Sequence, residues 1–202
     1  MQSQNEYIGD DKFQKLLEHY KCPTGIDLIK MRFAGAICSP NLELRPTDVI
    51  SSLWPQGQEP RLQTKEEAEL FFKFFMGLWD DIFAKVRQNK IALPTFKVKN
   101  RDELCKICTL RHDLLEYGWL EGFWGGCENI KIPAYIAQIV DSLSDLAKVY
   151  LQLGQRQNSS NEFENLHKAV LHTDKTTNRA LSFIIENYVA SRFEKGNTES
   201  KI

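Results

Sequence analysis

The sequence has no excess of either charge. Its 26 lysines and arginines stand against 27 aspartates and glutamates, which leaves a formal net charge of −1. Proteins that bind nucleic acid usually display a basic face, because neutralisation of phosphates supplies most of their affinity. We therefore expect no nucleic-acid partner. The nearest basic candidate is interpreted as a solvated helix face, because its positive residues are interleaved with acidic ones: Lys175, Arg179, Arg192 and Lys195 with Asp174, Glu186 and Glu194.

Long apolar runs are also missing. The densest run, Phe74 to Trp79, is far shorter than the roughly 20 residues that a membrane-spanning helix needs. Residues 1–10 have neither the positive start nor the apolar centre of a signal peptide. The five cysteines are odd in number and lack the regular spacing of a secreted disulfide scaffold. These absences predict a cytoplasmic protein with reduced thiols and no membrane association.

Motifs of nucleophilic and phosphate-binding enzymes are absent as well. There is no Gly-x-Ser-x-Gly, no glycine-rich phosphate loop after a strand and no His-Glu-x-x-His. The sequence therefore gives no positive reason to assign catalytic residues, and we predict neither an enzyme nor a bound cofactor.

One predicted helix face combines metal-ligating side chains with apolar ones. Cys105, Cys108 and His112 fall along one flank, and Cys127 beyond the helix could complete a tetrahedral zinc site. The same flank carries several apolar residues, and buried cysteines commonly pack as small hydrophobes. We therefore favour packing and predict no metal site. The alternative is a metal-binding protein or metal-dependent enzyme that uses this Cys/His face.

Apolar residues recur every three or four positions along most of the chain, which is the spacing of amphipathic helices rather than strands. We therefore predict an all-α fold, a single-domain multi-helix bundle of about seven to eight helices. Capping-box patterns mark two helix starts, at Thr64 and at Asn100. The predicted helices cover residues 10–21, 26–38, a short segment from 45, 64–88, 100–124, 133–153, 161–171 and 174–194.

The sharpest change of composition is a polar stretch at residues 154–160, which we interpret as a linker. It separates a helical domain, residues 1–153, from a C-terminal helical extension, residues 161–195, which is expected to pack on the bundle. Residues 196–202 are expected to form a disordered tail.

A stripe of glycines stands out in one predicted helix, at Gly118, Gly122 and Gly126. Because a glycine inside a helix costs roughly 1 kcal/mol relative to alanine, the stripe needs a reason. Close helix–helix approach is one, and helix 26–38 offers a complementary small patch at Ala34-Gly35-Ala36. We predict that these two helices cross in contact. The alternative, which can coexist with packing, is a groove that receives a protein partner through Trp119, Glu121, Gly122 and Trp124.

The order of these features resembles a known family. A small-residue helix, residues 32–40, precedes a proline-led short helix that ends in Leu53-Trp54, and a long helix with an acidic start follows. The series closes on residues 119–126, whose sequence fits the pattern Trp-x-x-Gly-Phe-x-x-Gly. Over residues 25–153 the chain resembles the YgfB/YecA-like family of small bacterial proteins. It departs from that family where Arg32 or Phe33 replaces a usual histidine, and it lacks the C-terminal cysteine-rich zinc module of some members.

The resemblance implies an all-α fold in a bacterial cytoplasm. It implies no particular activity, because the family has no established catalytic residues, and the roles suggested for it involve regulation through protein contacts. Our first hypothesis is accordingly a non-enzymatic interaction or regulatory protein. Its protein partner is unknown and can be a second copy of the chain in a homodimer.

Overall fold

The computed structural model describes residues 6–127, 130–155 and 162–192. All regular structure in these ranges is helical, which confirms the predicted all-α class. In chain order the helices are α1 Asp10–His19, α2 Ile26–Cys38, α3 Pro46–Ser51, α4 Lys65–Arg87, α5 Arg101–Asp113, a π-helical segment Leu114–Leu120, α6 Glu121–Trp124, α7 Ala134–Gln155, α8 Glu162–Ile184 and a second π-helical segment Ile185–Val189. Within these ranges no helix is both long and apolar enough to cross a bilayer.

The two predicted capping sites start α4 and α5. The Thr64 hydroxyl accepts a hydrogen bond from the Glu67 backbone N–H at 3.1 Å, and the Asn100 side-chain oxygen accepts one from Glu103 at 2.9 Å. The Glu103 carboxylate also accepts hydrogen bonds from the Asn100 side-chain amide at 3.0 Å and from the Lys99 backbone N–H at 2.7 Å. The Glu67 carboxylate accepts the backbone N–H of Gln63 at 2.6 Å, one residue before the cap. Each start is therefore held by bonds on both sides of the cap.

Helix α2 runs through the centre of the molecule. Most of its side chains are buried, including Phe33, Ala34 and Cys38, none of which is measurably exposed. A helix that is apolar on nearly all sides needs neighbours on all sides. It is covered by α4, by α3 and by the first π-helical segment with α6, while α7 packs on α5 and α8. The buried residues of both groups form one continuous core.

The C-terminal part of the chain differs from the prediction of two helices, 161–171 and 174–194. It is one helix, α8, which continues from Glu162 into the second π-helical segment. The supposed break falls at Thr173, whose hydroxyl donates to the carbonyl of Ala169, one turn earlier, at 2.9 Å. Polar groups bonded in this way remain inside a helix, and residues 162–192 contain neither glycine nor proline to interrupt it.

A buried polar cluster fixes α8 to the rest of the bundle. Arg111 is 1% exposed, and its guanidinium donates to both oxygens of Asp174 at 3.1 and 3.0 Å. The Tyr150 hydroxyl donates to Asp174 at 2.7 Å and lies 3.2 Å from that of Thr177. Helices α5, α7 and α8 therefore meet at one carboxylate.

The end of the described chain is also attached. Arg192 donates to the backbone carbonyls of Ser39 at 2.6 Å and Cys38 at 2.8 Å, where α2 ends and its last carbonyls lack helical partners. Residues 162–192 therefore pack on the rest of the bundle. Of the predicted linker, 154 and 155 belong to α7; residues 156–160 and the predicted tail, 196–202, lie outside the described residues.

Candidate functional site

Helix α2 crosses the first π-helical segment and α6 at glycines. A Cβ atom built on Gly35 would lie 2.0 Å from the Trp119 carbonyl oxygen, and one on Gly122 would lie 2.1 Å from the Arg32 carbonyl oxygen. A Cβ on Gly118 would lie 3.0 Å from the Met31 side chain. The predicted contact between these two helices is therefore confirmed, with the backbones close enough that no side chain fits between them.

Gly126 takes no part in this crossing. It follows the end of α6, has a positive φ of 73°, and a Cβ built on it would meet nothing within 4 Å. The helix ends one residue earlier, where Gly125 adopts the left-handed conformation. A helix C-terminus commonly uses glycine in this way, so the third glycine of the stripe belongs to the turn.

The π-helical turn frees a backbone carbonyl at the crossing. The Glu121 N–H bonds to the carbonyls of Glu116 and Gly118, so it does not serve the carbonyl of Tyr117, its ordinary α-helical acceptor. Arg32 donates to this carbonyl in place of the Glu121 N–H. The guanidinium of Arg32 donates to the Tyr117 oxygen through Nε at 3.1 Å and a terminal nitrogen at 2.7 Å.

Arg32 also bonds to two further elements. It donates to the Ser52 carbonyl after α3 at 3.0 Å and to the Glu121 carboxylate at 2.7 Å, and only 7% of its surface is exposed. Burial lowers the pKa of Arg32, and the nearby Glu121 carboxylate opposes that shift. Arginine stays charged under such conditions, so the guanidinium holds α2, α3 and the π-helical segment in one arrangement.

The four predicted partner-binding residues fall into two groups. Trp119 has no exposed surface and stacks on Phe123 with ring centroids 4.9 Å apart, while Gly122 is buried against the backbone of α2. Because α2 covers this side of the helix so closely, Trp119 has no surface to offer a partner, which corrects the prediction for it. Gly122 is buried but lines a depression together with Arg32 and Glu121, so its role stays a prediction. Glu121 is exposed and Trp124 is half-buried; their role stays a prediction.

A groove with a volume of about 400 Å³ lies between the first π-helical segment with α6 and α7. Its aromatic lining consists of Tyr117, which is 52% exposed, and Trp124. The buried side chains of Leu120 and Val140 contribute apolar surface between the two helices. We call this the Tyr117–Trp124 groove. Tyr117 is not among the predicted site residues, because the π-helical segment that carries it changes the helical period before Trp124.

Two further depressions adjoin the Tyr117–Trp124 groove. One, of about 580 Å³, shares Tyr117 with it and extends along the start of α2. The other, of about 240 Å³, shares Glu121 with it and extends towards α3 and Gly125. Arg32 is a lining residue of both of these depressions. We call these three neighbouring depressions together the surface tract.

Two cysteines named for the alternative metal site lie apart in the structure. Cys108 is fully buried, and a Cβ built on Gly154 would lie 3.2 Å from its own Cβ, so it packs on α7. Burial raises the pKa of the Cys108 thiol to about 11, and the charge of the nearby Cys105 acts in the same direction. Cys127 lies elsewhere, where its sulfur accepts a hydrogen bond from Asn41 at 3.2 Å. Among residues 6–127, 130–155 and 162–192 no three His, Cys, Asp or Glu side chains are placed to hold a metal ion.

Comparison of the chain with protein-family models, with curated proteins and with solved structures gave no match. The resemblance to the YgfB/YecA-like family therefore stays a prediction, carried by the residues quoted for it.

Proposed function

We propose that this chain is a non-catalytic helical protein that acts by binding another protein at the Tyr117–Trp124 groove. The observation that carries the proposal is the pair of aromatic side chains displayed beside the glycine crossing, with apolar surface between them. Tyrosine and tryptophan dominate the energetics of protein interfaces, because they bury a large area with few rotatable bonds.

Rigidity beneath the groove supports the same proposal. The backbone that carries Tyr117 is held by the two Arg32 hydrogen bonds and by the close approach of Gly35 and Gly122. A surface that is ordered before binding loses less conformational entropy when a partner arrives. The buried crossing thus fixes the position of the exposed aromatic residues, so helix packing is compatible with the proposed partner binding.

The setting of the proposal follows the family resemblance, a bacterial cytoplasm in which the protein regulates its partner through contact. All five cysteines are free thiols, which suits a reducing compartment. A homodimer through this groove would bring two copies of the same acidic lining, which includes Glu121 and Asp141, together across a twofold axis. Because like charges across an interface are unfavourable, we favour a different protein as the partner.

Site-specific photocross-linking tests the proposal. A photoreactive phenylalanine analogue replaces Tyr117 in cells of the native host, and the matched control carries it at Phe72, which is 38% exposed on α4. We expect one cross-linked protein species from position 117 that is absent from position 72, and mass spectrometry identifies it. Equal products from both positions, or none from position 117, would overturn the proposal.

A further inference from the structure

We infer that the partner presents a cationic, amphipathic segment to the surface tract. The inference rests on the proposed function and specifies the chemistry of the partner. Its basis is an asymmetry of charge that the composition conceals, because the whole chain has a net charge of only −1.

Carboxylates surround the surface tract. The three depressions contain a single basic lining residue, Arg32, which is 7% exposed and bonded to backbone and to Glu121. The acidic lining residues are Asp27, Asp48, Asp113, Glu116, Glu121 and Asp141.

Most of these carboxylates form no ion pair in the described chain, although Asp27 also lines a separate depression that contains Lys30, Lys85 and Lys90. Among the ion pairs of the described chain, only Glu121 of the six takes part, through Arg32. Asp48 accepts a backbone N–H from Arg45 at the start of α3, which leaves its charge in place. Depressions lined by one sign of charge focus the field and attract the opposite charge. The tract therefore favours a cationic ligand and disfavours phosphate-rich ones such as nucleic acid or an anionic membrane surface.

The arrangement of apolar and acidic groups defines the ligand further. Tyr117 and Trp124 offer ring faces, which attract lysine and arginine as well as apolar side chains. Glu116 and Asp141 line the same groove as these rings. A helix or extended segment with an apolar residue between basic ones satisfies both kinds of surface, which is how amphipathic segments dock into grooves.

Fluorescence anisotropy with the full chain tests this inference. The probe is a labelled amphipathic peptide of lysine and leucine, and its charge control has glutamate in place of lysine. We expect saturable binding of the lysine peptide only. We also expect its affinity to fall about tenfold between low and physiological salt, because exposed charges separated by a Debye length are screened. Equal binding of both peptides would overturn the inference.

Two matched triple variants locate the binding. The tract variant is Asp113→Asn, Glu116→Gln and Asp141→Asn; the control variant, with the same change in net charge, is Glu59→Gln, Glu69→Gln and Glu164→Gln, at exposed positions outside the tract lining. Circular dichroism confirms that both fold. We expect the tract variant to bind the lysine peptide at least tenfold more weakly than the control variant, and equal weakening would overturn the inference.

The two experiments fail separately. A cross-linked partner at position 117, together with no preference for the lysine peptide, would overturn the cationic ligand and leave the proposed function standing. Loss of the cross-link would overturn the proposed function itself.

Discussion

Two glycines decide how closely the central helices approach. At Gly35 and Gly122 the neighbours of an added Cβ atom are backbone atoms of the opposite helix, at 2.0 and 2.1 Å. Backbone atoms in the middle of two packed helices cannot rotate away, unlike the end of a flexible side chain. An alanine here therefore separates the helices or distorts them, and overpacking of a core costs stability.

The first prediction concerns Gly122→Ala. We expect the free energy of unfolding to fall by about 3 kcal/mol or more, because the new methyl group meets the Arg32 carbonyl. The control is Gly25→Ala, where the φ is −70° and a Cβ would meet nothing within 4 Å; its change should stay within about 1 kcal/mol. Urea denaturation followed by circular dichroism measures both. If Gly122→Ala lowers the free energy of unfolding no more than Gly25→Ala does, the crossing tolerates a methyl group.

The glycine crossing could be predicted from sequence, because glycine spacing reports directly where side chains are missing. The exposure of the aromatic residues could not. A π-helical turn adds a residue to one turn, and each residue rotates the side-chain direction by about 100°. A uniform helical period through 100–124 does not report this rotation; the alternative interpretation names Trp119 at a groove, whereas the structure buries Trp119 and exposes Tyr117. The acidity of the tract was equally hidden, because its carboxylates come from distant parts of the chain.

At the scale of elements, the first π-helical segment depends on a residue from another helix. Its Tyr117 carbonyl, which the Glu121 N–H does not serve, accepts two hydrogen bonds from Arg32. A buried polar group without a hydrogen bond costs about 1–3 kcal/mol. The side chain of Glu121 is 48% exposed. Because solvent screens an ion pair at an exposed carboxylate, the pair contributes little to stability. The carbonyl bonds of Arg32, rather than its ion pair, therefore hold the segment.

The second prediction compares the two ends of that ion pair. Arg32→Met removes the donors to Tyr117 and Ser52, and we expect it to destabilise the fold by about 2–4 kcal/mol. Glu121→Gln keeps the Arg32 bonds to backbone and should cost less than about 1 kcal/mol. Chemical denaturation of both variants beside the parent chain measures the difference. A larger loss from Glu121→Gln would mean that the ion pair holds the segment instead.

On the scale of the whole molecule, one core joins the domain and its C-terminal helix, and thiols lie within that core. Cys38 and Cys108 have no exposed surface. Burial raises the pKa of Cys38 to about 12, against the opposing effect of Arg192, and that of Cys108 to about 11. Both values lie above the ordinary 9.0 of a cysteine. Alkaline pH therefore lowers the free energy of unfolding, because the thiols of the unfolded chain release protons that the buried thiols of the folded chain retain.

The last prediction is the pH dependence of stability that follows. A group whose pKa is raised on folding contributes its full stability below the unfolded pKa and loses it as pH rises towards the folded one. Between pH 7.5 and 10, the two thiols should lower the free energy of unfolding by on the order of 2 kcal/mol. The double variant Cys38→Ala and Cys108→Ala removes both groups while Tyr150 and the other titrating residues remain. Urea unfolding of both chains at the two pH values should therefore give a smaller loss for the double variant. An equal loss would show that the buried thiols are not the groups that titrate.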